Sequence, residues 1–175
     1  IVEKRVGRHA KETKKIKNPE NEKELELLSE CKSWLESEKP LRAMSLSEDQ
    51  KRILRGFMFL SEKPIVQVLN LSDGEASKVD HIIDAYQLRE TAALANVGVT
   101  AVCGKIEAEL VELSGEDALA FLADYGLKES GLDRLIRVTY ELLGLISFFT
   151  VGEDECRAWT IRRGTSALKA AGGIS

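Results

Sequence analysis

A short apolar run that ends on polar residues does most to limit the possible folds of this chain. Residues 65–69 read Ile-Val-Gln-Val-Leu, and residues 70–73 read Asn-Leu-Ser-Asp. A run of this kind is typical of a strand covered on both faces, as in a parallel sheet. A helical pattern over 77–98 and a second apolar run over 99–104 come next. Strand, helix and strand in this order predict a right-handed β-α-β unit, and hence an α/β fold with a parallel sheet.

The composition is that of a soluble globular protein. The chain has 175 residues, a length sufficient for one domain with a core, or for one domain and a part of another. It is 43% hydrophobic and 31% charged, as soluble globular proteins are. The net charge of −4 gives no overall attraction to nucleic acid, although local patches are able to bind it. Because no apolar run approaches the ~20 residues of a membrane span, and the first residues are charged rather than signal-like, we predict no membrane partner.

The cysteines and histidines limit the chemistry. Cys31, Cys103 and Cys156 are widely spaced and form no Cys-x-x-Cys motif, which predicts a reduced, cytoplasmic protein. His9 and His81 are far apart, and we expect them to lie on the surface and on a helix face rather than in a metal site or a catalytic triad. The sequence therefore predicts no metal site and no catalytic residue in this chain.

The first 37 residues have the charge pattern of two opposed helices. Residues 1–17 are rich in Lys and Arg, and the pair Asn18-Pro19 interrupts them. Residues 20–37 are mostly acidic and carry an apolar seam made by Leu25, Leu28, Cys31 or Lys32, and Leu35. One prediction is an antiparallel helical hairpin that projects as an arm. The other is a pair of solvated helices supported by a larger body.

Three serines stand where capping boxes begin helices. Ser47, Ser114 and Ser130 are each followed three positions later by Gln or Asp. The last of these helices is expected to place five apolar side chains on the sheet, namely Leu132, Leu135, Ile136, Leu142 and Leu143. Two short β segments around the turn at 152–154 and the start of a helix complete the chain.

A phosphate loop is the first motif to test for after a parallel strand. Residues 98–105 read Gly-Val-Thr-Ala-Val-Cys-Gly-Lys, but five residues separate the two glycines, where the Walker A motif has four. Ile106 stands where that motif needs a Ser or Thr hydroxyl for Mg²⁺. The residues between the glycines are themselves the second strand, so they cannot wrap a phosphate. The chain therefore contains no phosphate loop.

Polar loops follow both predicted strands, at the edge where open α/β sheets bind ligands. The loops are Asn70-Leu71-Ser72-Asp73 and Cys103-Gly104-Lys105. In GTPase-type sheets, an Asn-Lys-x-Asp loop and a small-residue loop hold the base together, because one carboxylate accepts both N1–H and the exocyclic amine of guanine. Here Leu71 replaces the Lys and offers apolar contact with the ring. The alternative is a turn in which Asn70 and Asp73 cap their own backbone.

From residue 40 onward the chain resembles the Obg-like ATPases of the YchF family, which are relatives of GTPases. The stretches that carry the resemblance are LRAMSLSEDQKRIL, KPIVQVLNLSD, VCGKIEAELVEL and LKESGLDRLIRVTYELLGLISFFTVGEDECRAWTIRRGTSALKAAG. The resemblance implies three parts. Residues 1–62 are a coiled-coil hairpin insertion and a connecting helix. Residues 63–147 are the C-terminal half of a P-loop NTPase-like nucleotide-binding domain, and residues 148–175 begin a β-grasp TGS domain.

The same resemblance implies a ribosome-associated parent protein that binds and hydrolyses ATP with Mg²⁺ and accepts GTP less well. It matches Asn70 to the family's Asn, and Leu71 to the residue whose main chain lies against adenine. Asp73 stands where the family has Glu, which leaves the choice between ATP and GTP open. The family's phosphate loop and Mg²⁺ ligands precede the coiled coil, so we expect this chain alone to hydrolyse nothing. The alternative function is a non-catalytic module that binds a ribosome, RNA or a protein.

Several side chains, two of them in the second polar loop, allow two interpretations. The stem of Lys105 covers a base or is merely solvated, and Cys103 is redox-sensitive or a buried small hydrophobe. The basic segment 1–17 contacts ribosomal RNA or pairs with the acidic segment that follows it. A second candidate for RNA contact, with ordinary surface charge as its alternative, is the group Arg157, Arg162 and Arg163 near Trp159.

Overall fold

The computed structural model describes residues 19–174. The chain divides into two compact units, and the described part of the first, Ile1–Lys63, is helical. The helices are α1 (Pro19–Glu36) and α2 (Glu48–Arg55), with a 3₁₀ turn at Leu41–Ala43 between them. Their core consists of Leu27, Leu28, Cys31, Leu41, Leu54 and Phe59. The predicted seam is thus confirmed at Leu28 and Cys31. The predicted first arm, residues 1–17, lies outside the described residues.

The predicted capping box at the start of α2 is confirmed. The Ser47 hydroxyl accepts from the Gln50 N–H at 3.2 Å, and the Gln50 side chain accepts from the Ser47 N–H at 2.9 Å. The two residues satisfy each other's free amides, as such boxes do. By contrast, the predicted box at Ser114 is wrong, because the Ser114 side chain makes no capping hydrogen bond. Gly115 follows it with φ of +56°.

The second unit, Pro64–Ser175, contains the predicted parallel sheet. Strands β1 (Ile65–Asn70) and β2 (Val97–Val102) pair in parallel, and the register ends with Asn70 opposite Val102. The expectation that β1 is covered on both faces is wrong for the described residues, since the side chains of Ile65 and Val68 keep 39% and 43% of their exposure. Its only strand partner in the described part of the chain is β2.

The connection between these strands differs from the single helix that the sequence predicts. It consists of a 3₁₀ segment (Asp73–His81) and two short helices, α3 (Ile82–Ala85) and α4 (Arg89–Ala92). Gln87 takes a φ of +56°, which interrupts the helical path between α3 and α4. The 3₁₀ segment is held by the Glu75 carboxylate, which accepts from Ser72 Oγ, Lys78 Nζ and Tyr86 OH.

Three helices follow β2: α5 (Gly104–Leu110), α6 (Gly115–Asp124) and α7 (Gly131–Leu143). The expected face of α7 is partly wrong, since Leu132, Ile136 and Leu143 are exposed. The helix contacts β2 through Val138 and Leu142, whose side chains lie 3.0 and 3.5 Å from the point where Gly98 would carry a Cβ. The predicted capping box at Ser130 is confirmed for one of its two bonds, since the Ser130 hydroxyl accepts from the Asp133 N–H at 3.0 Å. The Asp133 carboxylate accepts from the Ser130 hydroxyl at 2.8 Å.

The chain continues with the two predicted β segments. Strands β3 (Leu145–Val151) and β4 (Cys156–Arg162) form an antiparallel hairpin, and the short helix α8 (Ala167–Ala171) follows. The α7–β3 junction is closed by Gly144 in the left-handed conformation (φ 62°) and by the Arg163 N–H, which donates to the Gly144 carbonyl at 2.7 Å. Within residues 19–174, no helix has the length and apolar character needed to cross a membrane.

Candidate functional site

The two polar loops meet at one end of the parallel sheet. Asn70 is the last residue of β1, and its side-chain Oδ1 accepts a hydrogen bond from the Gly104 N–H at 3.0 Å. The Leu71 N–H donates to the Val102 carbonyl at 2.8 Å, which extends the pairing of the strands by one step. The carboxyl ends of parallel strands share an edge, and the predicted proximity of Asn70 and Gly104 is confirmed.

Gly104 lies close to Asn70. A Cβ at this position would lie 3.2 Å from Asn70 Oδ1, tighter than ordinary van der Waals contact. A residue with a Cβ would therefore require the Asn70 side chain to move by a few tenths of an ångström. The small residue in the second loop therefore has a specific steric role, which is to let the backbone approach Asn70.

Asp73 and Lys105 form a salt bridge across the same edge. Lys105 Nζ lies 2.6 Å from Asp73 Oδ2, and the Gly74 N–H donates to Asp73 Oδ1 at 3.0 Å. The hydrogen bond from Lys105 lowers the pKa of Asp73, and the same bond raises the pKa of Lys105. Lys105 was expected either to cover a base or to be solvated. It is largely exposed, as the second interpretation expects, and it also pairs with Asp73.

Leu71 and Cys103 belong to the core rather than to the surface of the site. Both side chains are buried with Ala101 and Ile106. The Cys103 thiol lies 3.8 Å from the Ser72 carbonyl, to which it donates, and burial raises the pKa of this thiol. Cys103 is thus the buried small hydrophobe of the sequence interpretation. The apolar contact with a base ring that was predicted for the Leu71 side chain is therefore wrong, because that side chain is buried.

Glu107 is a structural partner of the site that the sequence analysis missed. Its carboxylate accepts from the N–H groups of Gly131 at 2.6 Å and Leu132 at 3.3 Å. It thereby caps the N-terminus of α7 from α5, the helix that begins at Gly104. Capping residues normally precede their helix by a few positions, whereas Glu107 lies 24 residues before Gly131. No local pattern signals such a contact.

Of the three arginines near the C-terminus, Arg157 and Arg162 lie in β4 and Arg163 follows it. Arg157 lies with its guanidinium carbon 5.6 Å from the centre of the Trp159 ring, and its Nε donates to Glu155 at 2.9 Å. Arg162 is five positions further on in the same strand, and alternation places it on the opposite face. Arg157 and Trp159 are therefore the pair available for joint contact with a partner.

The described residues provide no set of ligands for the Mg²⁺ that the family resemblance implies. Within residues 19–174, no group of three or more His, Cys, Asp or Glu side chains is placed to hold a metal ion. No metal-dependent step is therefore assigned to these residues.

The fold defines a class: an α/β protein in which two polar loops meet at the carboxyl ends of parallel strands, the edge where open α/β sheets bind ligands. Comparisons with known proteins agree. Residues 145–175 match the family model described as "YchF-GTPase_C: Protein of unknown function (DUF933)". The chain is 43% identical over 98% of its length to the ribosome-binding ATPase YchF of Bacillus subtilis, of which it covers 46%. It is 34% identical over 99% of its length to Obg-like ATPase 1 of Caenorhabditis elegans, of which it covers 42%.

A solved structure gives the same result. The structure of the Schizosaccharomyces pombe YchF GTPase aligns with 99% of this chain and 47% of its own length, with a TM-score of 0.80 and 26% identity. The chain belongs to the YchF family of Obg-like ATPases. It spans about half the length of the curated relatives it matches.

Proposed function

We propose that this chain is the part of a ribosome-associated NTPase that recognises the purine base, and that it also carries a coiled-coil arm. The observation that supports this most directly is the hydrogen bond from the Gly104 N–H to Asn70 Oδ1, which holds two loops together at the ligand edge of a parallel sheet. The nucleotide is ATP or GTP, bound with Mg²⁺ in the parent protein.

In this proposal each loop residue acts through the group that its environment leaves available. Asn70 uses its Oδ1 to hold Gly104, so its amide nitrogen is the group that donates to an acceptor on the purine edge. Leu71 and Cys103 have buried side chains, and they contribute main-chain surface and main-chain polar groups. Asp73 and Lys105 contact the base through their exposed, paired charges.

Hydrolysis is proposed for the parent protein and not for this chain. The relatives carry the printed name ATPase, whereas these 175 residues include no GxxxxGK[ST] motif to hold the β- and γ-phosphates. We therefore expect the purified chain to show no Mg²⁺-dependent ATP or GTP turnover. Detectable turnover that copurifies with the chain and is abolished by Asn70→Ala would contradict this.

The ribosome is the proposed macromolecular partner, and the cytoplasm the proposed location. Several relatives are named ribosome-binding ATPases. The Arg157–Trp159 pair on the exposed hairpin offers a cation and a ring suited to RNA phosphate and base contact. The basic segment 1–17, proposed as the first arm of a helical hairpin, is the other candidate surface for contact with RNA. We further propose that the β3–β4 hairpin and α8 begin a TGS domain.

Titration of the ¹⁵N-labelled chain with AMP, followed by NMR, tests the base-recognition role. We expect the largest amide shifts at residues 70–73 and 103–105, because these loops enclose the proposed base site. Asn70→Ala should abolish these shifts, since it releases the second loop. Ser114→Ala is the control: the Ser114 side chain makes no capping hydrogen bond, so the shifts should stay unchanged. Shifts confined to the hairpin or to α1 would favour the non-catalytic interaction module instead.

A further inference from the structure

We infer that Glu107 couples the second polar loop, residues 103–105, to the β3–β4 hairpin through α7. The inference rests on the proposed base-recognition function, to which it adds a route of regulation. The carrying observation is the Glu107 carboxylate, which accepts from the N–H groups of Gly131 at 2.6 Å and Leu132 at 3.3 Å. These bonds join the helix that begins in the second loop to the helix that leads into the hairpin.

The first link connects the second loop to Glu107. Helix α5 begins at Gly104, and the Glu107 N–H donates to the Cys103 carbonyl at 2.9 Å. Glu107 therefore lies in the first turn of α5. The Gly104 N–H is itself held by Asn70 Oδ1 at 3.0 Å. A change in that contact should move the turn that carries Glu107, because hydrogen bonds hold a helical turn together as a unit.

The second link is the close packing of Glu107 against the start of α7. Gly131 is buried, and a Cβ at this position would lie 2.8 Å from Glu107 Oε1 and 3.0 Å from Val102 Cγ1. The first N–H groups of a helix have no partner within the helix. Glu107 supplies an acceptor for two of them, and its negative charge is favoured at a helix N-terminus. The position of Glu107 therefore fixes the start of α7.

The third link joins the end of α7 to the hairpin. Helix α7 has 13 residues and is thus about 20 Å long. Gly144 alone separates it from β3, and the Arg163 N–H closes this junction by donating to the Gly144 carbonyl at 2.7 Å. The Tyr140 hydroxyl lies 3.1 Å from Thr160 Oγ1 in β4. Because a single residue and two hydrogen bonds connect them, α7 and the hairpin are expected to move together.

This series of contacts works in both directions. Energetic coupling between distant sites is carried by hydrogen bonds and rigid elements of this kind, and for binding it is reciprocal. A base that displaces the second loop should therefore change the hairpin, and a partner on the hairpin should change the affinity of the loops for the base. The Arg157–Trp159 pair lies on this hairpin, so α7 would link nucleotide occupancy to contact with RNA.

The test perturbs the second loop and reads the hairpin by NMR of the ¹⁵N-labelled 175-residue chain. One perturbation is Asn70→Ala, which removes the acceptor of the Gly104 N–H, and the other is the addition of AMP. In the parent background we expect each to shift the amides of Gly131 and Arg163. In a Glu107→Ala background the shift at Arg163 should be lost, whereas AMP should still shift the Gly104 amide.

Three further variants define the route. Glu107→Gln keeps an oxygen that accepts from Gly131 and should keep the Arg163 shift. Glu109→Ala removes an exposed carboxylate from the same helix and should also keep it. Tyr140→Phe leaves the Glu107 cap in place and removes only the contact with Thr160. It should therefore weaken the shift at Arg163 and leave the shift at Gly131 unchanged, and it provides the test if Glu107→Ala does not fold.

The outcomes separate the two proposals. The coupling is overturned if Asn70→Ala does not shift the Arg163 amide, or if it shifts that amide equally without the Glu107 carboxylate or without the Tyr140 hydroxyl. Base recognition stands in that case as long as AMP shifts the Gly104 amide. If AMP shifts no amide of the two polar loops, base recognition is overturned. The Asn70→Ala comparison needs no nucleotide, so it still decides whether the coupling exists.

Discussion

The two units differ in whether their core residues are next in sequence to residues of the candidate site. In the first unit, Leu28 and Leu54 are fully buried between helices. In the second unit, the core includes Leu71 and Cys103. Each of these is next in sequence to a residue of the contact between the two loops. Leu71 directly follows Asn70, and Cys103 directly precedes Gly104.

This difference shows where stability and binding depend on the same residues. In the second unit, the side chains that anchor the loops in the core also fix the positions of the main chain that borders the site. Ile106, fully buried in α5, lies two positions after Gly104. Loss of packing there should move the loop, whereas loss of packing in the first unit should not. Three predictions test this contrast.

The largest effect is expected when one buried aliphatic side chain is removed from each core. Leu28 and Ile106 are 0% and 1% exposed, so Leu28→Ala and Ile106→Ala should each lower the free energy of unfolding of their own unit by about 2–5 kcal/mol. Only Ile106→Ala should also weaken the response of the Gly104 amide to AMP, because it loosens the helix that begins at Gly104.

The two tryptophans allow the units to be followed separately. Trp34 lies in the first unit and Trp159 in the second, so Trp159→Phe and Trp34→Phe backgrounds each leave one fluorescent reporter for denaturant unfolding. Leu28→Ala should shift the Trp34 transition and Ile106→Ala the Trp159 transition. Equal loss of the AMP response in both variants would contradict the contrast between the cores.

An intermediate effect is expected at the helix caps. Ser47→Ala removes a complete capping box in the first unit and should cost about 1 kcal/mol of unfolding free energy. Ser114→Ala in the second unit removes no capping hydrogen bond and serves as the matched control, with an effect of less than about 0.5 kcal/mol. Urea unfolding of both variants measures the difference. A cost at Ser114 equal to that at Ser47 would show that the capping contacts are not the cause.

The smallest effect concerns Glu75, beside the site. Hydrogen bonds from Lys78, Ser72 and Tyr86 lower the pKa of Glu75 from 4.5 to about 2. A carboxyl whose pKa is lower in the folded state contributes stability above its unfolded pKa and loses it as pH falls through the folded value. Stability should therefore fall between about pH 4.5 and 2. The loss of stability should be small, because solvent screens the contact between the partly exposed side chains of Glu75 and Lys78.

Glu75→Gln provides the control for this titration, because an amide does not ionise in this range. The melting temperature of the variant should fall less steeply with acid than that of the parent chain. Parallel curves for the two proteins would remove Glu75 as the source of the pH dependence. A side-chain NMR titration of Glu75 gives its pKa directly.

Local pattern predicted several of the contacts between neighbouring residues, although the same pattern at Ser114 predicted a capping box that does not form. The Ser47 box and the Ser130 cap depend on side chains three positions apart, and both are present. The β3–β4 hairpin follows from alternation and a turn. The parallel pairing of β1 with β2 was also predictable, because a strand, a helical connection and a strand have one favoured arrangement. That pairing was enough to bring Asn70 and Gly104 to one edge.

Contacts between residues distant in sequence depended on packing that no local pattern encodes. The capping of α7 by Glu107 and the pairing of Lys105 with Asp73 join distant parts of the chain. The types of residue at the site were therefore readable from the sequence. Which of their polar atoms remain free for a ligand was not, because hydrogen bonds and salt bridges compete for the same atoms, and the folded geometry selects among them.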